Sequence, residues 1–513
     1  FLLYTTSLRG SCILFLTGPF PAGKGGAMKI SGSGEFDVIV IGAGPGGSAL
    51  AALLAKEGLS VLLADKNAQA GGKMLTVRRG GFAYELFPIN GVPARSSLFE
   101  KLIDDLGIEG IRTIYPDPSG RFIFELPDGE LRTGTMGRKV SPFMFKRLMD
   151  LDWSGFIRFL KAMGSMAAAS PEEIRRAAGV SFLEYLGRFK LPGSVVAYLS
   201  VAFCEGYFQT SPDRISAAAI IRAVQQTRKY GGGRYYEGGI GTVFEAFARY
   251  AEGRGATVLY RTRVERILVE GGKVRGVIAG GKEYRALAVA SSAGIQPTIL
   301  TLVGREAFPP EYVSFIEGLE GNLSSAGYRW ILDAPVLKSP MNIYAAAGTV
   351  NTIADFRAME RGVFPEKTYV YLGTTSLYPG TAPAGKQLVY ACMSCLPDPK
   401  IDITPYLALV RGTVARIQPD LFEHIESEET FGPKTVADIS RESAVPGTGG
   451  EDYGIALTPE QYGDERLNGK TPIEGLFIVG CDAGGFGLGT HQAVDSAVTA
   501  AGMVREFLNG NKG

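Results

Sequence analysis

The apolar run Val38-Ile39-Val40-Ile41 is short, β-branched and preceded by Glu35-Phe36-Asp37, a pattern that predicts a strand buried on both faces. Gly42 to Gly47 interrupts it. Ser48 to Gly58 is rich in alanine and leucine and predicts a helix stopped by glycine. A second apolar run, Leu59 to Ala64, predicts another strand that ends at Asp65. Between 257 and 289 the pattern changes to short segments, Thr257 to Tyr260, Val264 to Val269 and Val274 to Ala279, separated by Gly271-Gly272 and Gly280-Gly281. These spacings predict hairpins closed by tight glycine turns. In Ser141 to Met163, Phe145, Leu148, Met149, Phe156, Phe159, Leu160 and Met163 recur at helical spacing, flanked by Lys146, Arg147, Arg158 and Lys161 beside Trp153. Such a face packs on a core in most proteins, and its basic flank suits peripheral contact with a membrane as the other use.

Length and charge narrow the class. A chain of 513 residues is long enough for two or more core-bearing lobes. With 53 Lys plus Arg against 52 Asp plus Glu, the net charge of +1 lacks the basic footprint of a nucleic-acid binder. An apolar fraction of 45% excludes a disordered chain. Glycine, at 69 residues, is roughly twice as frequent as usual, which points to tight turns and close approaches of backbone to a ligand. Five cysteines cannot staple a fold of this length and fit a reducing compartment, so a cytoplasmic location is expected. Residues 1 to 29, ahead of and including Met28, read as an extension outside the fold. The 18-residue uncharged run Val38 to Ala55 is broken by four glycines and Pro45, which makes it strand, turn and helix, not a bilayer span.

Chemistry concentrates at that first turn. Gly42-Ala43-Gly44-Pro45-Gly46-Gly47 lies between a strand and a helix, with Gly42 for the tight turn, Gly44 for close approach to a pyrophosphate and Gly47 for helix–strand packing. The helix start aims free N–H groups at phosphate oxygens. Asp65, 23 residues after Gly42, stands where a carboxylate takes ribose hydroxyls. This constellation specifies a dinucleotide and leaves NAD and FAD open.

Further blocks carry a family resemblance. Asp65-Lys66 runs into Gly71-Gly72-Lys73 and then Gly81-Phe82-Ala83-Tyr84-Glu85-Leu86-Phe87-Pro88. Tyr236 to Gly241, Phe244 to Phe247, Gly255 to Val258 and Val264 to Ile267 follow much later, and near the end Gly475 to Asp482 leads through Gly484-Gly485-Phe486-Gly487-Leu488-Gly489-Thr490 to a helix from Ala493 to Phe507. Together they resemble the flavin-containing amine oxidase and phytoene desaturase superfamily. The resemblance implies a Rossmann-like FAD-binding domain of α/β class assembled from discontinuous segments, with a mixed-sheet plus helical substrate domain. It places Gly71, Gly72 and Lys73 against the phosphates and ribityl chain, the Val264 backbone against the adenine, and Gly480 with Asp482 at the ribityl or pyrophosphate. The helix beginning at Gly489-Thr490 would face the flavin ring. The family's Gly-Asp pair is split here by Cys481. Leu372 to Leu377 with Ala382-Pro383-Ala384-Gly385-Lys386 resembles the carotenoid branch.

The implied domains are 30–110, 215–300 and 435–513 for FAD and 111–214 and 301–434 for substrate. The implied activity is FAD-dependent desaturation, saturation or cis/trans isomerisation of an apolar polyene or isoprenoid lipid through flavin N5, in an apolar tunnel. Alternatives are a flavin amine oxidase, a non-catalytic prenyl-lipid carrier of the GDP-dissociation-inhibitor type, and an NAD-only dehydrogenase, which the closing motif disfavours. His491, at the start of the last helix, is the candidate proton donor beside the flavin. His424 sits among glutamates and reads as a surface residue. Cys392-Met393-Ser394-Cys395 has metal-like spacing without a second pair and reads as strand alternation; no metal is expected.

Overall fold

Val38 to Ile41 form the end of a strand, Glu35–Ile41, in which Val38, Ile39 and Val40 are fully buried. It pairs in parallel with Val61–Ala64, Val38 opposite Val61 and Ile41 opposite Ala64, so the second strand starts two residues later than its apolar run. Parallel strands need a crossover, and the helix Pro45–Lys56 supplies it, burying an alanine-rich face that lets it sit close to the sheet. The computed structural model describes residues 35–510 apart from 88–97, 138–140, 231–232, 463–466, 486 and 488. The extension 1–29 and Pro88, Phe486 and Leu488 of the motifs therefore lie outside the described residues.

Seven strands make the first sheet, six of them ordered Val264–Glu270, Lys273–Ala279, Lys282–Ser291, Glu35–Ile41, Val61–Ala64, Thr257–Leu259. The seventh, Leu476–Ile478, pairs in parallel with Lys282–Ser291. Both glycine pairs close hairpins as expected, with φ of 59° and 75° at Gly271 and Gly272 and 56° and 71° at Gly280 and Gly281. Two consecutive left-handed residues match the strand twist, and glycine adopts them without a Cβ clash.

A second seven-stranded sheet runs Ile425–Phe431, Ser324–Leu332, Gln387–Cys395, Val370–Gly373, Met341–Ala346, Gly120–Glu125, Leu131–Met136. Helices between 142 and 230 pack on it through a cluster that includes Phe122, Phe156, Phe159 and Tyr390. Residues 36–513 form one compact unit.

Segment 141–163 departs from the single face its spacing suggested. Two helices, Pro142–Leu148 and Trp153–Ala168, flank a break where Asp150 takes φ 51° and Asp152 caps the second helix through Gly155 N–H at 2.6 Å. Leu148, Met149, Phe156 and Phe159 are core residues. The exposed apolar side chains are instead Phe143, Trp153, Ile157 and Leu160. Among the described residues, no helix is long and apolar enough to cross a membrane.

Candidate functional site

The glycine turn ends the first strand. Gly42 takes φ 87° and donates its N–H to the Ala64 carbonyl at 2.7 Å, closing the turn over the neighbouring strand. Gly44 is the N-cap of the first helix, with extended backbone and no side chain to cap it. Pro45 at N1 has no N–H to satisfy, and the helix start at Gly44 and Gly46 lines a cavity, where an orphan N–H suits an anion. A Cβ on Gly47 would overlap the Gly42 carbonyl oxygen, and one on Gly46 would come within 2.9 Å of Gly480 N. At Gly44 a Cβ would meet only Gly72 Cα, at 3.9 Å. Gly46 and Gly47 are thus required by protein packing, whereas the space beside Gly44 belongs to whatever fills the cavity.

Asp65 ends the second strand as the motif requires, 7% exposed. One carboxylate oxygen accepts from Ala43 N–H at 2.6 Å and the other from Asn67 N–H at 2.7 Å. Burial pushes its carboxyl above the usual range, against the pull of those two backbone donors. Gly71, with φ 134°, donates to the Ala43 carbonyl at 2.9 Å and so fixes the Gly71-Gly72-Lys73 loop to the first turn.

One cavity joins these stretches. Gly42, Gly44, Pro45, Gly46, Asp65, Lys66, Gly72 and Lys73 line it from the first segment, Val264 from the hairpin sheet, and Gly480, Asp482, Gly489 and Thr490 from the last. Of the sequence-derived site residues, Ala43, Gly47, Gly71 and His491 are not on its wall. The first three shape the turn from behind. His491 departs from the expectation of a proton donor: Thr490 and Ala493 of the same helix line the cavity, while its imidazole lies against Gly487.

Asp482 carries a second departure. Its carboxylate accepts from the Arg441 guanidinium at 2.5 Å, Ile295 N–H at 2.9 Å and Ile455 N–H at 3.0 Å, so most of its capacity is used by the protein. Arg441, 5% exposed, also places Nε 3.3 Å from Glu451 and donates to Gln296 at 3.0 Å. Burial disfavours its charge, and Asp482 and Glu451 more than offset that, holding the guanidinium protonated. Lys73 donates to the Glu451 carbonyl, and burial lowers its pKa against the opposing pull of Glu451. Sequence reasoning missed Arg441 and Glu451: they belong to no spaced motif, and Arg441 meets Asp482 across 41 residues.

The far side of the cavity is lined by Gln209, Ser325, Tyr369, Tyr371, Cys392, Asp452 and Tyr453. This part of the wall is aromatic and short polar side chains, while Phe87, Leu302 and Val479 add apolar surface elsewhere in the cavity. Burial raises Asp452 to about 6, against hydrogen bonds from Ser325 and Ser324. Behind the wall, Glu205 is 1% exposed and accepts from Asn351 at 2.9 Å, and burial raises it to about 7. A carboxyl so raised stabilises the fold fully below its ordinary value of 4.5, and that contribution is lost as pH rises through about 7. Glu205→Gln should therefore gain thermal stability relative to the parent as pH goes from 5 to 8. A melting-temperature difference that stays constant over that range would contradict the assignment. Among the described residues, no cluster of His, Cys, Asp and Glu could hold a metal.

Comparisons with known proteins agree with this geometry. The sequence profile of the family described as flavin containing amine oxidoreductase matches residues 47–505. A phytoene desaturase (neurosporene-forming) of Cereibacter sphaeroides is 25% identical over 458 residues, covering 80% of this chain and 84% of its own. Prolycopene isomerase 2, chloroplastic, from an Oncidium hybrid cultivar is 28% identical over 322 residues, covering 56% of this chain and 53% of its own. A solved structure of putrescine oxidase bound to putrescine matches with a TM-score of 0.64 at 15% identity over 93% of this chain and 99% of that one, a likeness of fold. A profile match over most of the chain, together with a cavity into which the dinucleotide turn and the closing glycine segment both open, places the chain in the flavin containing amine oxidoreductase family, as an FAD-dependent oxidoreductase.

Proposed function

We propose that this oxidoreductase acts on an apolar polyene or isoprenoid lipid, by desaturation, saturation or cis/trans isomerisation. The observation that supports it most is the cavity itself, which runs from the dinucleotide turn at Gly42 to the wall at Tyr369 and Tyr371. The relation to phytoene desaturases and prolycopene isomerases over much of the chain supports the substrate class. In this reading the helix start at Gly44 and Gly46 holds the diphosphate and Asp65 the ribose, with the Val264 backbone at the adenine. Lys73, Gly480 and Asp482 border the ribityl chain. FAD supplies a two-electron centre that gives or takes hydride at N5. The helix end at Gly489-Thr490 stabilises negative charge on the reduced ring. We assign residues 30–110, 215–300 and 435–513 to the FAD domain and the intervening stretches to the substrate domain.

A second reading, an amine oxidase, is favoured by Asp452 beside Tyr369, Tyr371 and Tyr453, because a carboxylate with aromatic faces suits a cationic amine. Anaerobic mixing of the holoprotein with polyenes and with diamines separates the two. Bleaching of the flavin by polyenes, or reoxidation of reduced flavin by them, supports the first reading, and bleaching by diamines alone overturns it. A protein that binds lipid but no flavin would be a carrier.

The exposed apolar residues define the membrane contact in the same reading. Phe143, Trp153, Ile157 and Leu160 are 58%, 63%, 61% and 41% exposed, and Phe143 and Trp153 meet edge to face at 6.2 Å. The Lys146 ammonium lies 5.1 Å from the Trp153 ring, with Arg158 and Lys161 on the same helix. An apolar patch with a cationic rim fits an anionic lipid surface. Replacing Trp153 and Ile157 together by serine should reduce co-sedimentation with phosphatidylglycerol vesicles about tenfold while leaving the melting temperature within about a degree, because both side chains are exposed. Unchanged sedimentation would contradict the contact.

A further inference from the structure

The helix Gly193–Leu199 continues as a nine-residue π-helix, Ser200–Phe208. Extended π geometry is rare and recurs at functional sites because it re-aims side chains that α-helical backbone would bury elsewhere. Here it ends at Gln209, a non-glycine residue with φ 49° and ψ 59°. A left-handed glutamine is strained, and a fold retains such strain where it fixes a side chain for a purpose. The Gln209 backbone is held by Leu323 N–H, which donates to its carbonyl at 2.8 Å. Its carboxamide receives Ser394 Oγ at 3.3 Å and stands on the cavity wall.

Tyr369 and Tyr371 complete that wall. They are 2% and 6% exposed, and neither hydroxyl hydrogen-bonds to another described residue. Behind them Glu205 is almost fully buried and accepts from Asn351 at 2.9 Å. Tyr453 differs, because its ring packs on Gly489 at the flavin end. Buried polar groups without partners are costly against a hydrocarbon, and a site of this kind discriminates against ligands that lack the matching group. Nothing about a purely hydrocarbon polyene satisfies two tyrosine hydroxyls and a carboxamide.

We propose that Gln209, Tyr369 and Tyr371 bind a hydroxyl or carbonyl oxygen of the substrate, so that the preferred substrate is an oxygenated isoprenoid and not a hydrocarbon. This rests on the isoprenoid reading of the cavity and narrows it. The strained Gln209 orients the amide, the tyrosines donate O–H, and Glu205 ties the π-helix to Asn351. The oxygen makes no covalent bond in this arrangement; it sets which carbon of the chain lies at the redox centre.

The test uses the holoprotein and probe pairs differing by one oxygen: axerophtene against retinol, and lycopene against 1-hydroxylycopene. Dissociation constants come from ligand fluorescence, quenching and flavin difference spectra. The oxygenated member should bind at least about tenfold tighter in each pair. Tyr369→Phe, which keeps the ring and its packing, and Gln209→Leu should each reduce that ratio towards one with the flavin spectrum retained. Equal or tighter binding of the hydrocarbons would overturn this inference and leave the isoprenoid reading standing. A preference that survives both substitutions would overturn the assignment to this wall. Binding of neither pair would overturn the inference together with the reading beneath it.

Discussion

Replacing Arg441 by methionine should destabilise the protein by about 3–5 kcal/mol, the cost of leaving buried carboxylates without their cation. Asp482 and Glu451 are 4% and 0% exposed, and Arg441 touches both. Without the guanidinium, each would have to be protonated or rehydrated inside the fold. Urea unfolding monitored by circular dichroism measures the loss. A partner substitution identifies its cause: adding Asp482→Asn to Arg441→Met should recover part of the stability, because one buried charge is then gone. A loss below about 1 kcal/mol for Arg441→Met would mean that water or a neighbour such as Lys73 compensates.

Gly44→Ala should abolish tight flavin binding without unfolding the chain. The new Cβ would have ordinary space on the protein side, 3.9 Å from Gly72 Cα. It would project into the cavity where the diphosphate has to approach the backbone. Affinity for FAD, read by titration of the apoprotein, should fall about 100-fold, or roughly 2.8 kcal/mol. Apoprotein stability should change by no more than about 1 kcal/mol, the usual scale for an N-cap substitution. Gly47→Ala is the counterpart: its Cβ would overlap the Gly42 carbonyl, so that variant should fail to fold with or without FAD. Full FAD affinity in a folded Gly44→Ala protein would remove the diphosphate from this turn.

Local rules made part of the site readable. The buried strand before Gly42, the glycine turn, the carboxylate at Asp65 and the two glycine hairpins each follow from neighbours within a few residues, and each stands where its pattern placed it. Properties set by distant chain were not readable. Asp482 lines the cavity, and the Arg441 guanidinium and two backbone N–H groups that engage its carboxylate come from separate segments. His491 stands at the start of the last helix, with its ring beside Gly487 and off the cavity wall, a placement that depends on distant packing and not on local pattern. The 141–163 spacing identified apolar residues but not which of them were outside, because the segment breaks at Asp150 into two helices. The tyrosine wall comes from Tyr369, just before the strand Val370–Gly373, and Tyr371 within it, in a sequence that resembles any core strand. The π-helix has no signature in its residues that the sequence reading could use.

The most direct test of convergence of three chain segments on one dinucleotide is the cofactor content of the purified protein. Reconstituted with FAD and freed of excess, it should show oxidised-flavin absorbance, and acid should release FAD at close to one per chain. In Gly44→Ala that absorbance should be lost in the same preparation. A parent protein that stays colourless after reconstitution, or that retains FMN in place of FAD, would contradict the account.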